Sequence, residues 1–322
     1  MVPAGVEGVK AGEAVAMGLG KSCATRAVAA IAVLTFGVGC PANPAFAYSA
    51  TGDRLFPATL VLPQIAPGDE FYIWADTLPQ IPTGVAMGQR RSNFSAVYAK
   101  TITDRLGIVI GENWTRLDRV KAGTWSAMQN LDTEIKYLAI DDQPHEFLLT
   151  LGLDREFGGT GATRVGAFSA GATTPRVYFG KGLGDLDIGY LRPLAVAGLL
   201  GHQIADSRPR PDLVTLGFVI EYSIPYLQSK VQSFNLPEYA RGLTPMTEML
   251  FTTPSGRSFG ARTTALIAPG LSYAGAGWEL AIEGLVPASR ATGRGVGARA
   301  QFHLSLDFVA AETIGRPLFF AP

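Results

Sequence analysis

The stretch GVGARAQFHLSLDFV, residues 295–309, indicates how this chain folds. Its even-numbered residues are all apolar, whereas Arg299, Gln301, His303 and Asp307 lie between them. A β-strand points successive side chains to opposite faces, so this stretch has one apolar face and one polar face. The surroundings that each face meets therefore decide the architecture.

The same period of two recurs over most of the chain, and no segment shows a convincing helical period, so we predict an all-β fold. Twelve strands are expected within residues 69–309. They are 69–76, 93–101, 105–114, 131–139, 146–154, 174–181, 188–201, 214–226, 245–253, 263–273, 278–286 and 295–309.

The length of the strands and the order of the connections favour a membrane barrel over a soluble sandwich or a soluble ligand-binding barrel. Thirteen residues at about 3.3 Å each, tilted by about 45°, rise roughly 30 Å, which is the thickness of a bilayer's hydrocarbon core. Long and short connections alternate, as expected for exposed loops at one end and tight periplasmic turns at the other. The link 227–244 breaks this rule, and it would either enter the mouth as a plug or lie beneath the barrel. We predict a transmembrane antiparallel up-and-down β-barrel of about twelve strands.

Composition and the N-terminus fit this class. Lys plus Arg and Asp plus Glu number 27 each, so no nucleic-acid partner is expected. Lys21 and Arg26 precede the apolar run 27–38, and Ala47 ends an A-x-A site, which together predict a secretory signal peptide. Both cysteines, Cys23 and Cys40, lie within it, so cleavage would leave a chain without thiols, disulfides or cysteine-based metal sites.

Four regions follow from these features. We predict a cleaved signal peptide over 1–47, an N-terminal periplasmic segment over 48–68, the β-barrel over 69–309 and a periplasmic C-terminal tail over 310–322. The expected location is the Gram-negative outer membrane. The expected partners are outer-membrane lipid, the outer-membrane assembly machinery and a small-molecule solute.

Three stretches carry a resemblance to a known family. EYSIPYLQSK (221–230), the region 268–308 and GRPLF (315–319) resemble uncharacterised proteobacterial outer-membrane barrels near the MetA-pathway of phenol degradation family. The resemblance covers most of 131–319 and implies a transporter-like barrel for small, aromatic or hydrophobic molecules. It implies no catalytic residues.

The polar faces supply the candidate functional residues, which we expect to line the lumen. They are Asp132, Glu134, Lys136, Glu221, Glu279, Glu283, Arg299, Gln301, His303 and Asp307. Such side chains would either form a solute path by passive transport or fill the lumen of a non-conducting structural or anchoring barrel. His303, Ser305 and Asp307 share one strand face at intervals of about 7 Å, too far apart for a catalytic hydrogen bond, so no enzyme is expected. No cofactor or metal site is expected either, because the three histidines are scattered along the chain.

Overall fold

The computed structural model of the protein describes residues 49–78, 89–119, 123–256 and 262–319. The predicted signal peptide and its cleavage site lie outside the described residues. Two short strands, β1 (Ser49–Thr51) and β2 (Arg54–Phe56), form an antiparallel ribbon that precedes the main sheet. No helix of the described residues is both long and apolar enough to cross a membrane.

The main sheet closes on itself as a twelve-stranded antiparallel barrel, which confirms the predicted fold class. Its strands are β3 (Glu70–Leu78), β4 (Gln89–Thr103), β5 (Leu106–Arg119), β6 (Gly123–Met128), β7 (Asp132–Asp142), β8 (Phe147–Glu156), β9 (Ala172–Gly182), β10 (Leu194–Ala205), β11 (Asp212–Tyr222), β12 (Leu243–Ser255), β13 (Thr264–Ala274), β14 (Trp278–Pro287) and β15 (Gly297–Ser305). β6 and β7 both pair with β5 and act as one interrupted strand, while the pairing of β15 with β3 closes the ring. Closure leaves no sheet edge whose polar groups would face lipid.

The outer face of the barrel is apolar. Large outward side chains, including Ile135, Leu153, Leu200 and Ile282, are 50 to 62% exposed. Alternate residues on the same strands, such as Lys136 and Glu283, are at most 4% exposed and point inward. Apolar residues outside and charged residues inside are the arrangement of a transmembrane barrel, because lipid takes the place of a protein core.

The two ends of the barrel differ. At the turn end lie the connections 104–105, 143–146 and 275–277, together with the longer links 183–193 and 223–242. At the loop end lie the connections 157–171, 206–211 and 288–296. The start of β3 and the end of β15 are both at the turn end, which we predicted to be periplasmic.

Four strand predictions need correction. The predicted strand 188–201 begins only at Leu194, because Gly189–Leu191 form a 3-10 turn. Residues 115–127, expected as a loop, are largely a hairpin extension of β5 and β6. The predicted strand 214–226 ends at Tyr222, and residues 224–226 form α1 (Ile224–Tyr226). Ser223 caps this turn by accepting a hydrogen bond from the amide of Tyr226. The last strand stops at Ser305, and α3 (Leu306–Val309) follows it. Leu306 is therefore buried beside the start of β3, where its amide donates a hydrogen bond to the carbonyl of Asp69.

The ends of the described chain are fastened at the turn end. In the predicted C-terminal tail, the amides of Leu318 and Phe319 donate to the carbonyls of Thr101 and Ile102. Asp69, just before β3, accepts hydrogen bonds from the ammonium of Lys100 and from the amide and hydroxyl of Thr101. These contacts fix the position at which the chain leaves the lumen and enters the barrel wall.

Candidate functional site

The lumen has one apolar wall and one charged wall. On β10 to β12 the inward side chains are mainly apolar and include Ala195, Ala197, Leu199, Val219 and Met246, all at most 4% exposed. On β3, β7, β14 and β15 the inward side chains are mainly polar or charged. A twelve-stranded barrel is wider than the eight-stranded kind that its own side chains can fill, so the space between these walls needs another occupant.

That occupant is the stretch 57–66, which we call the lumen segment. Its apolar side chains Leu60, Leu62 and Ile65 are at most 4% exposed and belong to the same cluster as the apolar wall. The segment that we predicted as periplasmic, 48–68, is therefore inside the barrel over this part. Pro57 and Pro63 lack the amide that a strand ladder requires, and burial of the leucines removes apolar surface from water.

Glu248 on β12 holds the centre of the lumen segment. Its carboxylate accepts hydrogen bonds from three consecutive amides, those of Leu60 at 2.5 Å, Val61 at 3.1 Å and Leu62 at 2.7 Å. The Glu248 side chain is fully buried. Successive amides that converge on one anion form a concave binding site, and each hydrogen bond to a charged group contributes about 1.5–3 kcal/mol.

Four of the predicted lumen residues hold the main chain on either side of this point. Glu279 accepts from the amide of Ala58 at 3.1 Å. Gln301 donates to the carbonyl of Thr59 at 3.3 Å, and Arg299 donates to the carbonyl of Leu60 at 2.5 Å. Lys136 donates to the carbonyl of Gln64. The charged wall therefore satisfies backbone groups that the segment would otherwise bury without partners.

The apolar wall is shaped to the segment by glycine. A Cβ atom at Gly217 would lie 2.3 Å from Cδ2 of Leu62. At Gly180 it would lie 2.8 Å from Cδ1 of Ile65 and 2.9 Å from Cζ of Phe56. A side chain at either position would displace the segment side chain beside it, so both glycines provide the room that these side chains occupy.

The ribbon of β1 and β2 anchors the segment at the turn end. The guanidinium of Arg54 is fully buried, pairs with Glu146 at 3.1 Å, donates to the carbonyls of Arg192 and Pro193, and stacks 4.0 Å from the ring of Tyr226. Burial raises the pKa of the Tyr226 phenol to about 12, and its hydrogen bond to Glu146 adds to the effect. This cluster ties the segment to three connections of the barrel.

Ion pairs connect several other charged side chains of the lumen. Arg176 lies 3.0 Å from Asp154 and 3.4 Å from Glu134, and Lys136 lies 3.6 Å from Glu134. On the neighbouring strands β15 and β3, Arg299 pairs with Asp76 directly opposite it, at 2.5 Å. His303 lies 3.1 Å from Glu70.

A cavity of about 260 Å³ remains between the lumen segment and the wall formed by β3, β4, β5 and β7. It reaches towards the loop end, where Asn113, Asn130 and Asp132 lie. Tyr72, Trp74 and Gln301 line its inner part. The cavity is therefore a polar pocket beside the segment, and the segment separates it from the apolar wall.

The structure sorts the ten predicted lumen residues into groups. Glu279, Arg299, Gln301 and Lys136 contact the lumen segment, as described. A second group is inside the barrel without a hydrogen bond to the segment: Asp132, Glu134, Glu221, Glu283 and His303. Asp307 is the exception, because it is exposed in α3 at the turn end and not in the lumen. Their role as a solute path stays a prediction.

Sequence analysis missed Glu248 and the lumen segment itself. In residues 245–253 apolar side chains occupy both parities, so Glu248 did not stand out as part of a polar face. A signal was nevertheless present. Inward carboxylates outnumber the cations near them, and the proline-containing apolar stretch 57–66 has no place in a sheet.

The irregular link predicted at 227–244 runs over 223–242 in the structure and does not enter the barrel as a plug. It forms α1, a short π-helical turn (Leu227–Val231) and α2 (Glu238–Arg241) at the turn end. Tyr239 is 72% exposed there. Of the two positions predicted for this link, the structure has the one beneath the barrel.

The residues weighed above for catalysis, His303, Ser305 and Asp307, have structural partners. The hydroxyl of Ser305 contacts Asp307, whereas His303 lies beside Glu70. Within the described ranges no group of three or more His, Cys, Asp or Glu side chains is arranged to hold a metal ion. That the protein is not an enzyme stays a prediction.

Comparisons with known proteins find solved structures that are similar to this chain at low sequence identity. No family model and no curated protein matches the chain. The KdgM porin is 11% identical, with a TM-score of 0.46 over 73% of this chain and 98% of its own. An outer membrane channel from Pseudomonas putida F1 is also 11% identical, with a TM-score of 0.46 over 74% and 95%. LpxR from Salmonella typhimurium is 10% identical, with a TM-score of 0.41 over 73% and 99%. The resemblance to the MetA-pathway of phenol degradation family stays a prediction.

Proposed function

We propose that this protein is a passive outer-membrane channel for small solutes, held closed by its own lumen segment. The observation that carries the proposal is the way in which the segment is bound. Its main chain is held by individual side chains of the wall, through Glu248, Glu279, Arg299 and Lys136, and it forms no strand of the sheet. Such an element can leave while the barrel remains intact, because no ladder hydrogen bond of the barrel depends on it.

The lumen that the segment would leave behind suits passage. One wall is apolar and the other carries charged side chains that are already paired with one another, such as Arg176 with Asp154. Water would hydrate the charged wall, and the apolar wall would favour small hydrophobic or aromatic molecules, the solute class that the family resemblance implies. No energy source is needed, since the solute moves down its own gradient.

The rival function is a non-conducting barrel that serves as an anchor or envelope component. One observation favours it: the lumen segment buries Leu60, Leu62 and Ile65 in the same cluster as the wall, as a permanent core would. In that case the charged residues only stiffen the barrel.

Solute efflux from liposomes separates the two functions. We would compare the intact chain with a variant that lacks residues 57–66, after both have been shown to be folded by heat-modifiable migration in gels. A channel closed by the segment predicts slow efflux for the intact chain and fast efflux of small aromatic acids for the deletion variant. A folded deletion variant that releases nothing would reject the channel and support the anchor.

A further inference from the structure

The loop end of the barrel carries a regular set of outward side chains on β4, β5 and β6. Phe94, Trp114 and Met128 lie opposite one another on these strands, and each is 38 to 47% exposed. They form an apolar row on the lipid-facing side, because the alternate residues Ser95 and Thr115 are buried inside the barrel. The next two outward rows lie nearer the loop end.

These two rows are polar and carry a surplus of arginine. The members, row by row, are Ser92, Arg116 and Ser126, then Arg90, Asp118 and Thr124. Arg164 donates to the carbonyl of Ser126 at 3.2 Å and so adds a third guanidinium group beside the first row. Asp118 is the only carboxylate among these described residues, and the neighbouring stretches 79–88 and 120–122 contain no acidic residue. We call the three arginines, together with Asp118, the arginine rim.

The guanidinium groups of the arginine rim keep N–H donors for a ligand. Among the described contacts, Arg116 donates to Asp118 through Nε alone, at 3.1 Å, and its side chain is 51% exposed. Arg90 is exposed and acts on Asp118 through its charge, with no hydrogen bond between the two described side chains. By contrast, Arg155 at the same end of the barrel is held by both carboxylate oxygens of Asp206.

The height of the arginine rim matches the level of lipid headgroups. β5 starts from its turn at Leu106, and Arg116 and Asp118 follow ten and twelve residues later. At about 3.3 Å per residue and a tilt of about 45°, these two residues lie roughly 23 and 28 Å above Leu106. The apolar band of a transmembrane barrel is about 25 Å tall. The rim therefore lies at the border where the hydrocarbon gives way to headgroups.

We propose that the arginine rim binds the phosphate groups of lipid A, the phosphorylated glycolipid of the outer leaflet. Arg90 and Arg116 are diagonal neighbours on adjacent strands, which sets their Cα atoms about 7–8 Å apart. One phosphate can therefore accept hydrogen bonds from both side chains, and a guanidinium group donates its N–H groups to phosphate oxygens in pairs. The acyl chains of the lipid would continue along the apolar row below. The inference rests on the outer-membrane location in the proposed function, and it does not depend on conduction.

Native mass spectrometry of the detergent-solubilised full chain with lipid A tests the site. Dephosphorylated lipid A and phosphatidylglycerol serve as comparison lipids, the second because it offers a single phosphodiester charge from a phospholipid. We expect saturable binding of lipid A and at least about tenfold weaker binding of both comparison lipids. The double variant Arg90→Gln with Arg116→Gln should bind lipid A roughly 25-fold more weakly, because it loses two arginine contacts to an anionic lipid.

The matched control removes the same charge at the same end of the barrel. Arg290 and Arg294 are exposed in the loop 288–296, and Arg290→Gln with Arg294→Gln should bind lipid A within about twofold of the unchanged protein. Heat-modifiable migration in gels would show that both double variants are folded.

Three results would overturn the inference: no saturable binding of lipid A to the folded protein, equal binding of either comparison lipid, or equal losses in the two double variants. These results are distinguishable from a failure of the channel function. Lipid A binding without efflux from the variant that lacks residues 57–66 would reject the channel and keep the rim, whereas efflux without lipid A binding would do the reverse.

Discussion

Replacing Glu248 with glutamine should loosen the lumen segment without unfolding the barrel. The carboxylate accepts three amide hydrogen bonds from residues 60–62, and hydrogen bonds to a charged group are about 1 kcal/mol stronger than neutral ones. The loss is therefore up to about 3 kcal/mol, which raises the released fraction of the segment by roughly 100-fold at 1.4 kcal/mol for each factor of ten. β12 keeps its ladder of hydrogen bonds to β11 and β13 in the variant.

Hydrogen–deuterium exchange of the protein in liposomes measures this change directly. Peptides that cover residues 57–66 should exchange up to about 100-fold faster in Glu248→Gln, while peptides from β12 keep their protection. The matched control is Glu221→Gln, because Glu221 is equally buried in the lumen but makes no hydrogen bond to the segment among the described contacts. Unchanged protection of residues 60–62 in a folded Glu248→Gln barrel would refute the assignment of Glu248 as the residue that holds the segment.

Three further results are expected. Gly217→Ala should speed solute efflux, because its Cβ would lie 2.3 Å from the Leu62 side chain of the lumen segment. Gly284→Ala should leave efflux unchanged, because its Cβ would meet nothing nearer than 3.9 Å. Equal efflux from the two variants would contradict the close fit between Gly217 and the segment. Ile282→Arg should lower the free energy of unfolding of the barrel in lipid by about 2–4 kcal/mol, measured in urea titrations. Val296→Arg, in a loop, should have little effect. Equal losses of unfolding free energy in the two variants would place Ile282 away from lipid. Burial holds the pKa of Tyr226 at about 12 in the folded state, so the unfolding free energy should fall as the pH rises from about 10 through 12. Tyr226→Phe should lack this part of the pH dependence when denaturation is measured over the same range.

The barrel was predictable from the sequence because strand alternation is local. On β15, Gln301 and His303 face inward, as the period of two requires. The same alternation predicts a strand that is too long, because Leu306 and Phe308 continue the pattern although the chain has already turned into α3. The amide of Leu306 finds its acceptor in Asp69, more than two hundred residues earlier, and no local pattern records such a contact.

The contents of the lumen were harder to predict for the same reason. Glu248 and the amides that it binds are separated by 186 to 188 residues, and they meet only after the barrel has closed. The sequence does show inward carboxylates without neighbouring cations, such as Glu221 and Glu279. It does not show that the missing partners include main-chain amides, because every residue other than proline carries one.

If the lumen segment opens and closes the channel, a reversible covalent tether between the segment and the wall should control conductance. A Cβ at Gly217 would lie 2.3 Å from Leu62 Cδ2, so cysteines at both positions are within reach of a disulfide in a mature chain that is predicted to have no other thiol. We would record planar-bilayer conductance of Leu62→Cys with Gly217→Cys in the Glu248→Gln background, before and after reduction. The barrel should be closed while the disulfide is formed and should conduct steadily once the disulfide is reduced. Equal conductance in the two states, with the disulfide verified by mass spectrometry, would contradict it.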